Sequence, residues 1–271
     1  MRAVFAKFFA DRGTHLAAMI AYFALLSFVP LLFLALALLG LTDRADESSV
    51  LVEELGKIFP GSSVRSIVAV VSTIQDNAAA LGIFGAVFVL WTSLSLFSVL
   101  ESAFNIVYGR PNRSFLRGKA LALAMLIASL VTLFVGLLVA TFGSYLLKRW
   151  APGFVSDGVV AYLISVAISA TAVFLFLVAV YTLLTNVPLR PRDVLPGALV
   201  ATVALEASFQ ILPFYLRFSR EFLALQALGT TALLLVWLYV MANVIVFGAE
   251  VNWWLGQRRA EAELEEAPGL A

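Results

Sequence analysis

Long uncharged apolar stretches, separated by short polar segments, dominate the pattern of this chain. A hydrocarbon core of about 30 Å needs about 20 apolar residues of helix to cross it. The strict alternation that is typical of barrel strands is absent, so the pattern predicts helices. We therefore expect an all-α integral membrane protein with six transmembrane helices. The predicted spans cover approximately residues 14–41, 79–108, 118–147, 158–187, 194–218 and 222–254.

The segments outside the spans have patterns of their own. Residues 1–13 hold phenylalanines at helical spacing with charges between them, which predicts an amphipathic helix in the membrane interface. Residues 42–77 contain two apolar stripes, and we interpret them as amphipathic helices that form an extracytoplasmic cap or a lid. Residues 257–271 are rich in glutamate and predict a disordered acidic tail. Residues 1–256 are thus expected to form a single membrane domain.

Composition narrows the classes of protein and of partner. The chain is 62% hydrophobic and only 13% charged, whereas a soluble domain carries about 25% charged residues. The net charge of +1 gives no electrostatic basis for binding nucleic acid. The absence of cysteine excludes disulfides and cysteine metal sites. We expect the lipid bilayer as the main partner and neither a metal nor a cofactor.

The distribution of arginine and lysine predicts the orientation. Placing both termini in the cytoplasm puts most basic residues inside, including the dense group between residues 109 and 119. Arg110, Arg113 and Arg117 belong to this group and are candidate contacts for anionic headgroups. The positive-inside rule alone also explains them.

Polar side chains recur on one face of three predicted spans. These candidate cavity residues are Ser98, Glu101 and Asn105 in span two, Thr202, Glu206 and Gln210 in span five, and Tyr239, Asn243 and Glu250 in span six. A carboxylate at the centre of a membrane helix costs about 2.5–3.5 kcal/mol, so such groups should face protein or water. One interpretation is a polar cavity open to the cytoplasm. The other is structural, with Glu250 reaching the interface and the remaining carboxyls bonded to neighbouring helices.

Glu206 lies near the predicted midplane, and we expect it to point into the bundle towards Asn105, Asn243 or Tyr239. Spans three and four differ, because they carry small residues at four-residue spacing, with Ser169 among them. Such spacing favours close packing of helices, so these spans are expected to act as a scaffold.

Several short motifs together resemble one known family. The motifs are Ala21-Tyr22 with Pro30-Leu31-Leu32, Trp91 with Phe104-Asn105 and Tyr108, Arg113-Ser114-Phe115, Leu195-Pro196-Gly197-Ala198, Ala227-Leu228-Gly229, Trp237-Leu238-Tyr239 and Gly248-Ala249-Glu250-Val251-Asn252. On these residues the chain resembles the YihY/virulence factor BrkB family, historically mislabelled ribonuclease BN. The resemblance covers about residues 14–256. It implies a six-helix protein of the bacterial plasma (inner) membrane and brings no established catalytic residues.

The features together favour a transporter or lipid translocase with a polar cavity inside the membrane, acting on a lipid or a small molecule. The alternative is an envelope scaffold or assembly partner without catalytic activity. A homo-oligomer is compatible with both functions. A ribonuclease is disfavoured, because metal-dependent nucleases need clustered carboxylates or histidines in water, and the only histidine is His15. We therefore expect no enzyme.

Overall fold

The computed structural model describes residues 2–40, 78–150, 158–221 and 223–266. Within these ranges all regular elements are α-helices. The helices are α1 (Arg2–Ala10), α2 (Gly13–Gly40), α3 (Ala78–Val107), α4 (Phe115–Trp150), α5 (Gly158–Leu184), α6 (Pro191–Glu221) and α7 (Leu223–Glu266). The predicted cap at residues 42–77 lies outside the described residues.

Five of the helices contain segments long and apolar enough to cross a membrane. These segments are Leu90–Val107, Phe115–Thr132, Tyr162–Leu184, Pro191–Leu212 and Ala232–Glu263. They confirm an all-helical, multi-pass membrane protein. The first predicted span, residues 14–41, falls on α2, whose Gly13–Ser27 part is a shorter apolar helix. The six-span count and the orientation of the termini remain predictions.

The helices pack as a ring in which α2, α7, α6, α5 and α3 follow one another. Helix α4 packs against the outside of α3, and α1 lies against α2 and α7. Most of the described core side chains come from one end of the bundle, formed by the start of α2, the end of α3, the end of α5, the start of α6 and the adjoining part of α7, with Phe8 of α1 packed on it. Phe104 and Tyr181 form an edge-to-face pair there, with ring centroids 5.3 Å apart. We call this end of the bundle the α1 end; it also holds residues 108–114 and 185–190.

Local sequence signals explain how the helices end here. Gly109 has a φ of 61°, and the amide of Arg110 donates to the carbonyl of Asn105 at 2.7 Å. This Schellman motif satisfies the last carbonyls of α3. Helix α6 begins with Pro191 at its first position, and Asp193 accepts a hydrogen bond from the amide of Arg190 at 2.9 Å. Gly109 therefore ends α3 at the start of the loop at residues 108–114, and Pro191 with Asp193 begins α6 after the loop at residues 185–190.

Helices α6 and α7 approach each other unusually closely at two glycines. A Cβ atom on Gly197 would lie far inside van der Waals contact of the Gly248 carbonyl oxygen. A Cβ atom on Gly248 would lie 2.9 Å from the Gly197 carbonyl oxygen and 3.0 Å from the Cβ of Ala201. Only glycine fits this backbone contact, as is common where membrane helices cross. The crossing fixes α7 against the start of α6.

The predicted disordered tail is wrong for most of its length. Helix α7 continues through residues 257–266 to Glu266, while residues 267–271 lie outside the described part of the chain. The sequence Arg-Ala-Glu-Ala-Glu-Leu-Glu-Glu consists of strong helix formers. Because α7 is already nucleated in the bundle, each further residue extends it without a new nucleation cost. The charged residues of this segment therefore belong to an exposed extension of α7 and not to a disordered tail.

Candidate functional site

The nine candidate cavity residues lie in three groups with different neighbours. Ser98 faces Lys119 of α4, and Glu101 and Asn105 face the loop after α3 and the segment after α5. Glu250 contacts α1, and Asn243 donates to the Tyr239 carbonyl of its own helix at 2.7 Å. Glu206 and Gln210 bond to α5, while the buried Thr202 hydroxyl lacks a hydrogen-bond partner among the described residues.

Glu101 in α3 is 4% exposed and is paired with Arg113 from the following loop. Its Oε1 accepts from Arg113 Nη1 at 3.2 Å and from the Arg113 amide at 3.3 Å. The same guanidinium donates to the carbonyls of Leu183, Leu184 and Thr185 at 3.1, 2.7 and 2.9 Å. Arg113 therefore caps the negative end of α5 while it neutralises Glu101.

Asn105 continues this network towards the next loop. Its Oδ1 accepts from the Asn186 amide at 2.7 Å, and its Nδ2 donates to Asn112 at 3.1 Å. Asn186 in turn donates to the Pro111 carbonyl at 3.0 Å. Ser98 accepts from Lys119 at 3.0 Å. These bonds join the loops at residues 108–114 and 185–190, so Glu101, Asn105 and Arg113 hold the α1 end together.

Glu250 in α7 is fully buried and faces Lys7 of α1. Lys7 Nζ lies 3.0 Å from Glu250 Oε2 and 2.8 Å from the Val107 carbonyl oxygen, and it also bonds Asp11. The ammonium lies 4.2 Å from the centroid of the Trp253 ring. Three segments of the chain, α1 with the adjoining Asp11, the end of α3 and α7, thus meet at one lysine.

Asn252 lies two residues further along α7 and contacts the first part of α6. Its Oδ1 accepts from the Gly197 amide at 2.6 Å, directly across the α6–α7 crossing. Tyr181 donates to the Ile245 carbonyl at 2.7 Å on the other side of the same crossing. The Gly197 and Gly248 motifs are thereby accounted for by packing.

The third group lies further from the α1 end, on the outer surface of α5 and α6. Ser169 donates to Glu206 Oε1 at 2.8 Å, and Tyr162 donates to Gln210 Oε1 at 2.6 Å. Glu206 is half-buried, whereas Ser169, Tyr162 and Gln210 are exposed. We call these four residues the α5–α6 stripe. Its partner for Glu206 is Ser169, rather than Asn105, Asn243 or Tyr239 as expected from the sequence.

The three candidate headgroup arginines differ in their surroundings. Arg113 is engaged with Glu101 and the end of α5 as described, and its side chain is 22% exposed. Arg110 and Arg117 are exposed at the same end of the molecule. Next to them Phe115 and Leu116 are 76% and 79% exposed at the start of α4. Exposed apolar and cationic side chains at one level are typical of a membrane interface.

Sequence reasoning missed several residues of these groups. Lys7 and Asp11 were placed only on an amphipathic helix, although their four-residue spacing already indicated an ion pair. Ser169 and its span were given a scaffold role. Asn112 and Asn186 lie in loops, where no periodic pattern distinguishes them. In the described part of the chain, no three His, Asp or Glu side chains are grouped so that they could hold a metal ion.

A family model described as "Virulence factor BrkB" matches residues 4–269 of the chain. The protein YfkH of Bacillus subtilis (strain 168), whose name calls it ribonuclease-like, is 27% identical over 266 residues, with 96% of each chain covered. A "UPF0761 membrane protein" of Legionella pneumophila (strain Corby) is 25% identical over 273 residues. That match covers 98% of this chain but only 64% of the Legionella protein.

A "UPF0761 membrane protein" of Klebsiella pneumoniae (strain 342) is 31% identical over 199 residues, which is 72% of this chain and 66% of the relative. The chain therefore spans about two thirds of the length of these longer relatives. No solved structure matches the chain.

Proposed function

Because the chain belongs to the BrkB virulence factor family and is a multi-pass membrane protein, we propose that it moves a lipid or a similar amphipathic molecule across the bacterial inner membrane. The headgroup follows the α5–α6 stripe while the acyl chains stay in the bilayer. One observation carries this proposal: Glu206 is held by Ser169 at the surface of the bundle, inside two candidate membrane spans.

At its depth in the membrane, Glu206 is destabilised if it faces only lipid acyl chains. It lies roughly 22 Å along α6 from Pro191, well inside a core of about 30 Å. A carboxyl group at such depth costs about 2.5–3.5 kcal/mol when it faces lipid. A neutral hydroxyl such as Ser169 offsets only part of this cost. Water or a polar headgroup beside the stripe offsets the rest of this free-energy cost.

The stripe also has the direction that a path across the membrane requires. Helices α5 and α6 pack side by side, and the Tyr162–Gln210 pair lies further from the α1 end than the Ser169–Glu206 pair. The two pairs therefore follow one another along the helix axes. Each presents a hydrogen-bonding group at the surface, which a passing headgroup can exchange for its own bonds with water.

The proposed topology completes this function. Helix α2 adds one span to the five candidates and brings the number to six. Both termini are cytoplasmic, and the α1 end faces the cytoplasm. Arg110 and Arg117, which are exposed at that end, then meet anionic headgroups of the inner leaflet.

We propose no catalytic activity for this chain. Its single histidine, His15, is exposed and has Thr14 as a neighbour at 3.4 Å. Hydrolysis of RNA by metal ions requires clustered ligands in a water-filled site. Incubation of the purified protein with RNA and Mg²⁺ is expected to leave the RNA intact. Metal-dependent cleavage that copurifies with the protein through successive columns would refute this part of the proposal.

Purified protein in liposomes with a fluorescent lipid tests the translocase directly. Dithionite bleaches label in the outer leaflet, so the extent of bleaching reports exchange between leaflets. We expect exchange above that of empty liposomes, a strong loss for Glu206→Leu and a weaker loss for Ser169→Ala. Thr171→Ala is the matched control, because Thr171 is an exposed hydroxyl on α5 that bonds its own helix at Ala167. Wild-type exchange equal to that of empty liposomes would sink the proposal.

The exposure of the same stripe also favours a second candidate, a scaffold in which another membrane protein covers it. The chain has no cysteine, so Gln210→Cys places a single thiol on the stripe. A disulfide-linked dimer in native membranes, together with no lipid exchange, would favour the scaffold. Lipid exchange between leaflets in liposomes that each contain a single copy of the protein would favour the translocase.

A further inference from the structure

Four groups from three parts of the chain surround the ammonium of Lys7. Two oxygens, Glu250 Oε2 in α7 and the Val107 carbonyl at the end of α3, lie 3.0 and 2.8 Å from Nζ. Asp11, just after α1, bonds the same nitrogen. The face of Trp253 closes another side at 4.2 Å. The nitrogen is therefore surrounded on several sides by acceptors and a ring, while the Lys7 side chain remains 17% exposed.

This arrangement fits one chemical class of cation. A primary ammonium has three N–H donors and no acceptor, so it matches three oxygens and an aromatic face. A guanidinium is planar and donates as a fork, which does not match three converging oxygens. A quaternary ammonium has no N–H to donate. The surroundings of Lys7 thus select a primary ammonium.

The groups around Lys7 offer more acceptor oxygens than its single ammonium can serve. Two carboxylates, Asp11 and Glu250, face one ammonium. Glu250 is 0% exposed, and neither of its carboxylate oxygens has a hydrogen-bond donor among the described residues, so Oε2 meets Lys7 only as an ion pair. A buried carboxylate oxygen without a donor is unfavourable. The site therefore keeps the capacity to hold a donor that the chain itself does not provide.

Helix α1 is held on the bundle by few contacts. It has nine residues, and an isolated helix of that length is marginal in water. Val4 and Phe8 are its buried apolar anchors. An open groove lies beside Lys7, between Ala3 and Ala6 on one side and the tryptophans 253 and 254 on the other. A ligand can reach the Lys7 site along this groove.

We propose that the α1 end holds a primary-ammonium site, which Lys7 occupies as a tethered ligand and for which a free amine or an aminophospholipid headgroup competes. Glu250, Asp11, the Val107 carbonyl and Trp253 form this site. It lies at the opposite end of α6 from the Tyr162–Gln210 pair and does not depend on the α5–α6 stripe.

Removal of the lysine exposes the site to an external ligand. In the detergent-solubilised full chain, Lys7→Ala is expected to lower the midpoint of thermal unfolding by about 5 °C or more. Ethylammonium chloride at millimolar concentration should restore most of the loss, whereas tetramethylammonium chloride at equal ionic strength should not. Lys119→Ala is the control, since Lys119 donates to Ser98 at a partly exposed position and should gain nothing from ethylammonium.

Two further arms identify the acceptor and the source of the ligand. The double variant Lys7→Ala with Glu250→Gln should lose the ethylammonium response. In nanodiscs, an aminophospholipid ligand predicts that Lys7→Ala unfolds at higher temperature in phosphatidylethanolamine than in phosphatidylcholine. A free amine as the only ligand predicts equal midpoints in the two lipids, with the ethylammonium response kept in both.

Alkylation of a Lys7→Cys variant tests the same proposal if Lys7→Ala does not fold. The chain has no native cysteine, so Lys7→Cys can be alkylated at one position. 2-Bromoethylamine forms a thioether that carries a primary ammonium, while the trimethylammonium analogue carries a quaternary one. Only the first product should regain the wild-type unfolding midpoint. Equal midpoints for both products, or equal responses of Lys7→Ala to ethylammonium and tetramethylammonium, would overturn the proposal.

Discussion

Two polar regions of the same bundle hold a glutamate in opposite ways. At the α1 end, Glu101 is 4% exposed and bonds both the guanidinium and the amide of Arg113. On the α5–α6 stripe, Glu206 is half-buried and bonds the hydroxyl of Ser169. Both carboxyls lie inside helices that are long and apolar enough to span a membrane. Their partners, rather than their residue type, distinguish them.

The difference indicates which region stabilises the fold and which is available for a ligand. A buried network whose members satisfy one another is strengthened by the low local dielectric and fixes one arrangement of helices. A hydrogen bond between membrane helices is typically worth only about 0.6 kcal/mol, so the Ser169–Glu206 bond can be exchanged at little cost. We therefore assign stability to the Glu101–Arg113 network of the α1 end and lipid exchange to the stripe.

The largest loss of stability is expected at the α6–α7 crossing, on which the α1 end is built. Gly197→Ala places a methyl group against the Gly248 carbonyl oxygen and the Asn252 side chain. Since backbone atoms cannot yield as a side chain can, we expect about 3 kcal/mol of destabilisation, the upper part of the overpacking range. The midpoint of chemical unfolding in detergent measures it.

Gly256→Ala provides the control on α7, because a Cβ atom there would meet no atom within 4 Å. It should be neutral or stabilise the helix by up to about 1 kcal/mol. Equal unfolding midpoints for Gly197→Ala and the wild type would show that the two helices can separate without loss.

The next largest effect is expected for Arg113→Ala, which removes the cap of α5 and leaves Glu101 buried without its cation. Loss of one partner of a buried pair costs about 3–5 kcal/mol; partial exposure of Arg113 reduces this to about 2–3 kcal/mol. Arg113→Lys should recover only part, because an ammonium cannot bridge the same carbonyls as a fork.

Arg117→Ala is the matched control for the arginine, since Arg117 is exposed at the start of α4. Its effect on the unfolding midpoint should correspond to less than about 0.5 kcal/mol. A loss as large as that of Arg113→Ala would mean that the positive charge of this segment matters rather than the specific contacts.

Much of the fold was predictable because its signals are local. Uncharged runs of span length predict helices across a membrane, and Gly109 and Pro191 mark a helix end and a helix start. The tail was mispredicted for a physical reason, since its charge suggested disorder while its alanines and glutamates extend α7.

The sites were harder to predict, because helical periodicity gives the face of a residue but not its partner. Glu206 and Gln210 were grouped by their spacing and both bond to α5, yet their partners Ser169 and Tyr162 come from a span that was expected to act as scaffold. The Lys7–Glu250 contact joins the two ends of the sequence. Only the arrangement of helices around the ring brings such residues together.

A smaller effect is expected for Asn105→Ala in the same network. Asn105 is 0% exposed, and its loss leaves the Asn186 amide without its acceptor. An unsatisfied buried donor costs about 1–3 kcal/mol, and we expect about 1–2 kcal/mol here because loop residue 186 is exposed. The unfolding midpoint measures this loss. Asn186→Ala keeps the backbone amide and removes only the exposed side-chain bond to the Pro111 carbonyl, so it should cost less than about 0.5 kcal/mol.

The smallest effect on stability is expected on the stripe, where a double-mutant cycle tests the comparison most closely. Ser169→Ala, Glu206→Leu and the double variant isolate the coupling between the two side chains. We expect a coupling of about 0.6 kcal/mol in unfolding free energy, together with a strong loss of lipid exchange in both variants that lack Glu206. Retention of lipid exchange in the stable Glu206→Leu variant would remove the functional role of the stripe. A coupling as large as the cost of Arg113→Ala would instead make the stripe a structural element like the α1 end, because its bond would then be too strong for a passing headgroup to replace.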